Sequence, residues 1–174
     1  MALNLYPALK ENILEVMDDD NTPLCLMPDQ TVMRQKLRHR RVALLLGERT
    51  GKYLLTYRNA DGWGLSSVDV LPAGRSCIHR AEELLLRDWS HEGRLRRYGT
   101  LPACPETGFA IVEVFGAKLP ASLTGFALRT PDRLMLADPQ ELHGLDAHFG
   151  DLLSPLLRMT IQTFLHSACG GKQS

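Results

Sequence analysis

The sequence predicts an α/β sandwich, a mixed β-sheet with helices on both faces. Three observations carry this. Short runs rich in branched and aromatic residues come first. One amphipathic segment with a capping residue follows in mid-chain. A further strand run then precedes two segments that open with helix-start signals. Strands, one helix, strands and two helices in that order suit a sheet covered on both sides.

The first strand is Ile13–Met17, ending at the turn Asp18-Asp19-Asp20-Asn21. Residues 41–46 (RVALLL) and 52–58 (KYLLTYR) form the next two. Glu48-Arg49-Thr50-Gly51 makes the hairpin turn between them, with Gly51 free to take a positive φ. Asp61-Gly62-Trp63-Gly64 reads as a loop. Residues 76–90 read as a helix with Ser76 as its cap. Cys77, Ile78, Ala81, Leu84, Leu85 and Trp89 share its apolar face. Residues 109–115 (FAIVEVF) are a strand, and 126–129 and 134–136 are weaker strand segments. Asp138-Pro139-Gln140-Glu141 and Ser154-Pro155 each announce a helix, with the residue before proline as cap. The last helix carries Leu156, Leu157, Thr160, Ile161, Phe164 and Leu165 inward, and Gly170-Gly171-Lys172 ends it.

A length of 174 residues, 44% hydrophobic and 23% charged, suits one globular domain with a sizeable core. A single domain over 1–174 is expected, with 1–10 and 170–174 as flexible ends. Twenty basic and twenty acidic residues cancel, so no global charge draws the chain to nucleic acid or to an anionic membrane. The start MALNLYPALKEN lacks a basic segment followed by an apolar core, and no run approaches the roughly 20 apolar residues of a membrane helix. A cytoplasmic location follows as the expectation. Cys25, Cys77, Cys104 and Cys169 are scattered, with no C-x-x-C pair. Free thiols are therefore expected rather than a zinc site. No Walker-type phosphate loop and no G-x-S-x-G elbow occurs.

Several segments in order resemble the Nudix hydrolase superfamily, in its branch related to isopentenyl-diphosphate isomerase. They are 11–21 (ENILEVMDDDN), 37–43 (LRHRRVA), 53–58 (YLLTYR), 63–66 (WGLS), 137–142 (ADPQEL), Phe149 and 153–157 (LSPLL). The resemblance covers nearly the whole chain and implies a Nudix-type α/β/α sandwich. It also implies Mg2+ or Mn2+ as the cation if the protein hydrolyses a diphosphate linkage.

The family's box, G-x5-E-x7-R-E-U-x-E-E-x-G-U with U bulky and apolar, is where this chain departs. Without gaps, Asp69 replaces the leading Gly, and Gly74 stands where the family has Gly before its first Glu. Arg75 replaces that Glu. Glu83 replaces the Arg, and Leu84 its Glu neighbour. Leu85 keeps the apolar position. Arg87 and Asp88 replace the closing Glu pair. Leu84 and Asp88, four apart, share a helix face, and only Asp88 has a carboxylate. Magnesium needs several oxygen ligands, and Arg87 adds positive charge beside the place it would occupy. The isomerase's catalytic cysteine has no counterpart, since Ser67, Val68 and Asp69 stand in that region.

The expected function is accordingly a Nudix-type protein with little or no hydrolase activity. It would bind a nucleotide-like or diphosphate ligand, or a protein partner. The alternative is a working metal-dependent hydrolase of nucleoside diphosphate-linked compounds using Asp88, Glu92 and Glu113. A structural or dimerising module, such as a homodimer, is the third reading. Residues 34–41 (RQKLRHRR) offer Arg38 and Arg40 to phosphates, although a charge run is by default a solvated surface. Arg58 and Trp63, which the resemblance sets at the approach to the box, complete the expected ligand-binding set. Residues 94–98 (RLRRY) extend an anion-binding groove or blunt an edge strand. The six histidines share no catalytic spacing and are expected at the surface.

Overall fold

The computed structural model describes residues 12–165. Expectations for Glu11, His166, Cys169, the helix end at Gly170-Gly171-Lys172 and the flexible ends lie outside the described residues.

In chain order the elements are β1 (Ile13–Met17), β2 (Pro23–Pro28), α1 (Asp29–Gln35), β3 (His39–Gly47), β4 (Tyr53–Arg58), β5 (Gly62–Gly64), β6 (Ser67–Val70), α2 (Cys77–Trp89), β7 (Leu95–Leu101), β8 (Ala110–Lys118), α3 (Ala121–Arg129), β9 (Leu134–Ala137), α4 (Pro139–Phe149) and α5 (Pro155–Phe164). The main sheet runs β5-β4-β3-β8-β7, with β6 also paired to β3 and β9 to β4. β3 and β8 are parallel over nine residue pairs, from His39–Ala110 to Gly47–Lys118. The other pairings in this sheet are antiparallel. β1 and β2 form a separate antiparallel pair.

β3 shows why the sequence reads as almost continuously apolar there: it is buried on both faces. Successive side chains point to opposite sides. Val42, Leu44 and Leu46 join the core under α2 and α3. Ala43 and Leu45 join the core under α4 and α5. All five are fully buried. Burying one such leucine stabilises the fold by roughly 1.5–3 kcal/mol. The mixed sandwich with helices on both faces is therefore present.

The helix starts follow the predicted chemistry. Ser76 Oγ accepts from the His79 N–H at 3.3 Å and caps α2. Asp138 and Glu141 form the reciprocal capping box of α4, both bonds at 2.8 Å. Ser154 Oγ accepts from the Leu157 N–H at the start of α5. On α2, Ala81, Leu84 and Leu85 are buried as predicted, whereas Ile78 is exposed at the rim.

Two expectations are corrected. Residues 62–64 are not loop but strand β5, which pairs Trp63 with Tyr57 and Gly64 with Thr56. A three-residue strand flanked by glycines has no periodicity to read. Residues 126–129 are the last turns of helix α3, not a strand. Phe-Ala-Leu-Arg fits either state locally, and packing of Ala127 against the sheet decides. β2, α1 and β6 had no separate signal. No helix of the described residues is long and apolar enough to cross a membrane.

Candidate functional site

Strand β6 and helix α2 bring together residues that the resemblance aligns with the family's box, here called the box region. Asp69 Oδ2 accepts from Arg80 Nη2 at 3.0 Å and from Arg87 Nη1 at 2.7 Å. Arg87 also grips the Asp88 carboxylate with both Nε (2.6 Å) and Nη2 (3.2 Å). Arg80 further donates to the Val70 carbonyl and to Glu83. Arg75 lies 3.6 Å from Glu83. Burial acts to raise the Asp88 pKa, but hydrogen bonds from Arg87 and Ser67 and the Arg87 charge hold it below the usual carboxylate value. The hydrogen bonds that Arg87 donates, to Asp88 first and Asp69 second, raise its own pKa. The Arg80 hydrogen bond likewise lowers Glu83. Arg80 escaped the sequence reading, although its i,i+3 spacing to Glu83 was a usable signal.

Beside this network opens a cleft of about 210 Å3, lined among others by Arg41, Arg58, Asp61, Val68, Thr107 and Ser154. Gly62 holds its rim in a left-handed conformation (φ 75°), where an added Cβ would strike the Leu152 carbonyl. Arg41 rises from β3, and its Nε is buried without a hydrogen-bond partner. Burial, and then the Arg58 cation, lower its pKa, while Asp69 and Asp61 act the other way. Among the described residues neither Arg41 nor Arg58 has an acidic partner within ion-pair distance. Asp61 and Glu106 line the cleft as well, without an ion pair to either arginine, and the two guanidinium forks suit phosphate. Ser154 adds a hydroxyl at the same wall, whereas the buried Thr107 hydroxyl is already bonded to the Pro102 and Cys104 carbonyls.

No family model matches the sequence, and no curated protein is similar to it. Solved structures do resemble the fold. A mutT/nudix family protein from Listeria innocua superposes with a TM-score of 0.54 at 17% identity, over 72% of this chain and 89% of that one. The chain has the Nudix fold. A second crystal structure, from Deinococcus radiodurans, superposes with a TM-score of 0.66 at 12% identity, over 86% and 97% of the two chains.

The residues that the resemblance aligns with the family's box do not fit a divalent cation. Leu84 is fully buried among apolar side chains and offers no oxygen. Asp69 and Asp88 are engaged by guanidinium groups. Gly74 takes a positive φ of 72° in the turn before α2, and Leu85 packs in the core. Among the described residues no group of three or more His, Cys, Asp or Glu side chains is placed to hold a metal ion.

The structure does not bring Asp88, Glu92 and Glu113 together. Asp88 is bound to Arg87. Glu113, on β8, pairs with Arg97 and accepts from Thr100 at 2.7 Å. Glu92 lines a groove along α2 beside His79 and Glu82. Of the expected ligand-binding set, Arg58 lines the cleft. Trp63 stacks edge-on against Tyr57 beside it. Arg40 lines an adjoining recess with Arg41 and Glu113. Arg38 instead donates to the Asp18 and Asp19 carbonyls at 3.1 and 2.9 Å and braces that turn. Arg41 was passed over within its basic run, because only its position on a sheet strand shows that it is enclosed. His39 corrects the expectation of surface histidines. It is fully buried, its Nδ1 lies 2.8 Å from the Leu37 carbonyl, and burial lowers its pKa.

Proposed function

We propose that the chain is a Nudix-superfamily protein with a degenerate catalytic box. Its cleft binds the phosphate groups of a nucleotide-like or diphosphate ligand with little or no hydrolysis. One observation carries this reading: the arginines of the cleft lack acidic ion-pair partners, whereas Asp69, Glu83 and Asp88 of the box region are held by arginines. The protein thus offers two guanidinium groups to an anion, beside Asp61 and Glu106, and holds Asp69 and Asp88 away from a metal cation. The chain works in the cytoplasm, a reading supported by free thiols at Cys25, Cys77 and Cys104.

The test has two parts. Purified protein is screened for turnover of nucleoside diphosphate compounds with and without Mg2+ or Mn2+, beside Asp88→Asn. Binding of ADP to wild type, Arg41→Met and Arg58→Ala is measured by calorimetry. We expect no turnover, and ADP binding weakened about tenfold or more by each arginine substitution, in line with a lost charged hydrogen bond of ~1.5–3 kcal/mol. Metal-dependent product release that Asp88→Asn abolishes would establish the hydrolase instead. Unchanged ADP affinity in both arginine variants would remove the cleft from the reading.

A further inference from the structure

The other end of the sheet carries a second cationic groove. Arg41 stands just before the buried run of β3, and Gly47 ends the strand six residues on, roughly 20 Å away at about 3.3 Å per residue. There, Gly47, Tyr53, Arg94, Arg96, Tyr98 and Lys118 line a groove of about 240 Å3.

Its floor is shaped by two glycines. A Cβ on Gly116 would strike the Tyr98 ring, and one on Gly47 would come to 3.2 Å from the Tyr53 ring. The rings therefore lie close over bare backbone. Tyr98 Oη donates to Tyr53 Oη at 3.4 Å. That leaves the Tyr53 hydroxyl hydrogen without an acceptor among the described hydrogen bonds.

Its wall is cationic. Leu95 pairs with Ala117 and Arg96 with Gly116, so the antiparallel register brings Arg94 opposite Lys118. Like charges placed opposite one another across a strand pair repel. The Arg96 guanidinium lies 5.7 Å from the Tyr98 ring centroid, which leaves its N–H groups for another partner. Among the described residues none of Arg94, Arg96 and Lys118 has an acidic partner within 4.0 Å. Their neighbour Arg97 does, in Glu113. The carboxylate in the groove, Glu48, accepts from the hydroxyls of Thr124 (2.6 Å) and Thr50 (2.7 Å), which keep it ionised, and the cations Arg94, Arg96 and Lys118 outnumber it.

We propose that this groove is a second anion site, which takes a ligand presenting two phosphate groups to Arg94, Arg96 and Lys118, with the Tyr53 hydroxyl as a further donor. A diphosphate spreads charge over several oxygens and so meets cations from two strands at once. The site is independent of the cleft at Arg41.

Calorimetric titration of the full chain with inorganic diphosphate tests it, using Arg96→Gln/Lys118→Gln beside Arg41→Met/Arg58→Ala. These exposed groove positions should leave the melting temperature unchanged. The groove variant should lose one binding component by tenfold or more, and that component should persist in the cleft variant and weaken with added salt. A second arm uses ADP. Retention of the groove component there assigns the site to diphosphates joined to a nucleoside as well as free ones. Undiminished diphosphate binding in a folded groove variant overturns the proposal. So does loss of all binding in the cleft variant alone.

Discussion

The box region and the cleft use the same side chain in opposite states. Arg87 and Arg80 are held by Asp69, Asp88 and Glu83, so their charges are neutralised within the fold. Arg41 and Arg58, on neighbouring strands, have no such partners. A guanidinium in the first state organises structure; one in the second is available to a ligand. The contrast is set by where carboxylates stand. On α2 they lie within one helical turn of an arginine, and at the cleft Asp61 and Asp69 act on Arg41 only through space.

The comparison breaks most readily at Leu84. If the box region is a structural network rather than an open metal site, Leu84→Glu places a carboxylate in a dry core. An uncompensated buried charge costs about 3–5 kcal/mol. Urea unfolding should show a loss of that size. A loss below about 1 kcal/mol would mean that water and cations reach the position, as a metal site requires.

Next is Gly62→Ala, which sharpens the cleft side. Both the positive φ and the Leu152 carbonyl oppose a side chain there. We expect a cost of about 2 kcal/mol. For a chain of this size that lowers the melting temperature by roughly 4–8 °C. An unchanged melt would show that this rim is loose.

Acid tests the network itself. The folded pKa of Asp88 lies below its unfolded value of about 3.9. The carboxylate therefore contributes stability that is fully present above about pH 4 and is lost as pH falls through the folded pKa. Stability measured between about pH 2.5 and 6 should decline at the acid end, and Asp88→Asn should make that decline shallower. Identical profiles would place Asp88 outside the network.

The smallest effect concerns Arg75 and Glu83, which carry the reverse of the charges the resemblance assigns and still pair. Arg75 is exposed and Glu83 also holds the shorter Arg80 bond, so Arg75→Ala should cost only a few tenths of a kcal/mol. In a cycle of Arg75→Ala with Glu83→Gln the coupling should be of that size, and the rest of the Glu83→Gln cost belongs to Arg80. A cycle with no coupling would mean that Glu83 is served by Arg80 alone.

Much of the frame was legible because local chemistry and burial agree. The capped starts of α2, α4 and α5 depend on residues three or four apart, and the uninterrupted apolar run of β3 reflects its two buried faces. β5 and α3 were misread because a three-residue strand and a short apolar segment take their state from neighbours. At the site, that Leu84 and Arg87 offer no carboxylate could be read directly from residue type. The role of Arg38 could not, since its partners lie 19 and 20 residues earlier.

By itself the sequence determined the sandwich and the capped starts of α2, α4 and α5, because each depends on near neighbours or on residue type. Only the tertiary structure decided which arginines are spent and which are free. An arginine's state depends on whether a distant strand or helix delivers a carboxylate to it: Asp69 reaches Arg87 from 18 residues away, and no ion-pair partner reaches Arg41 among the described residues.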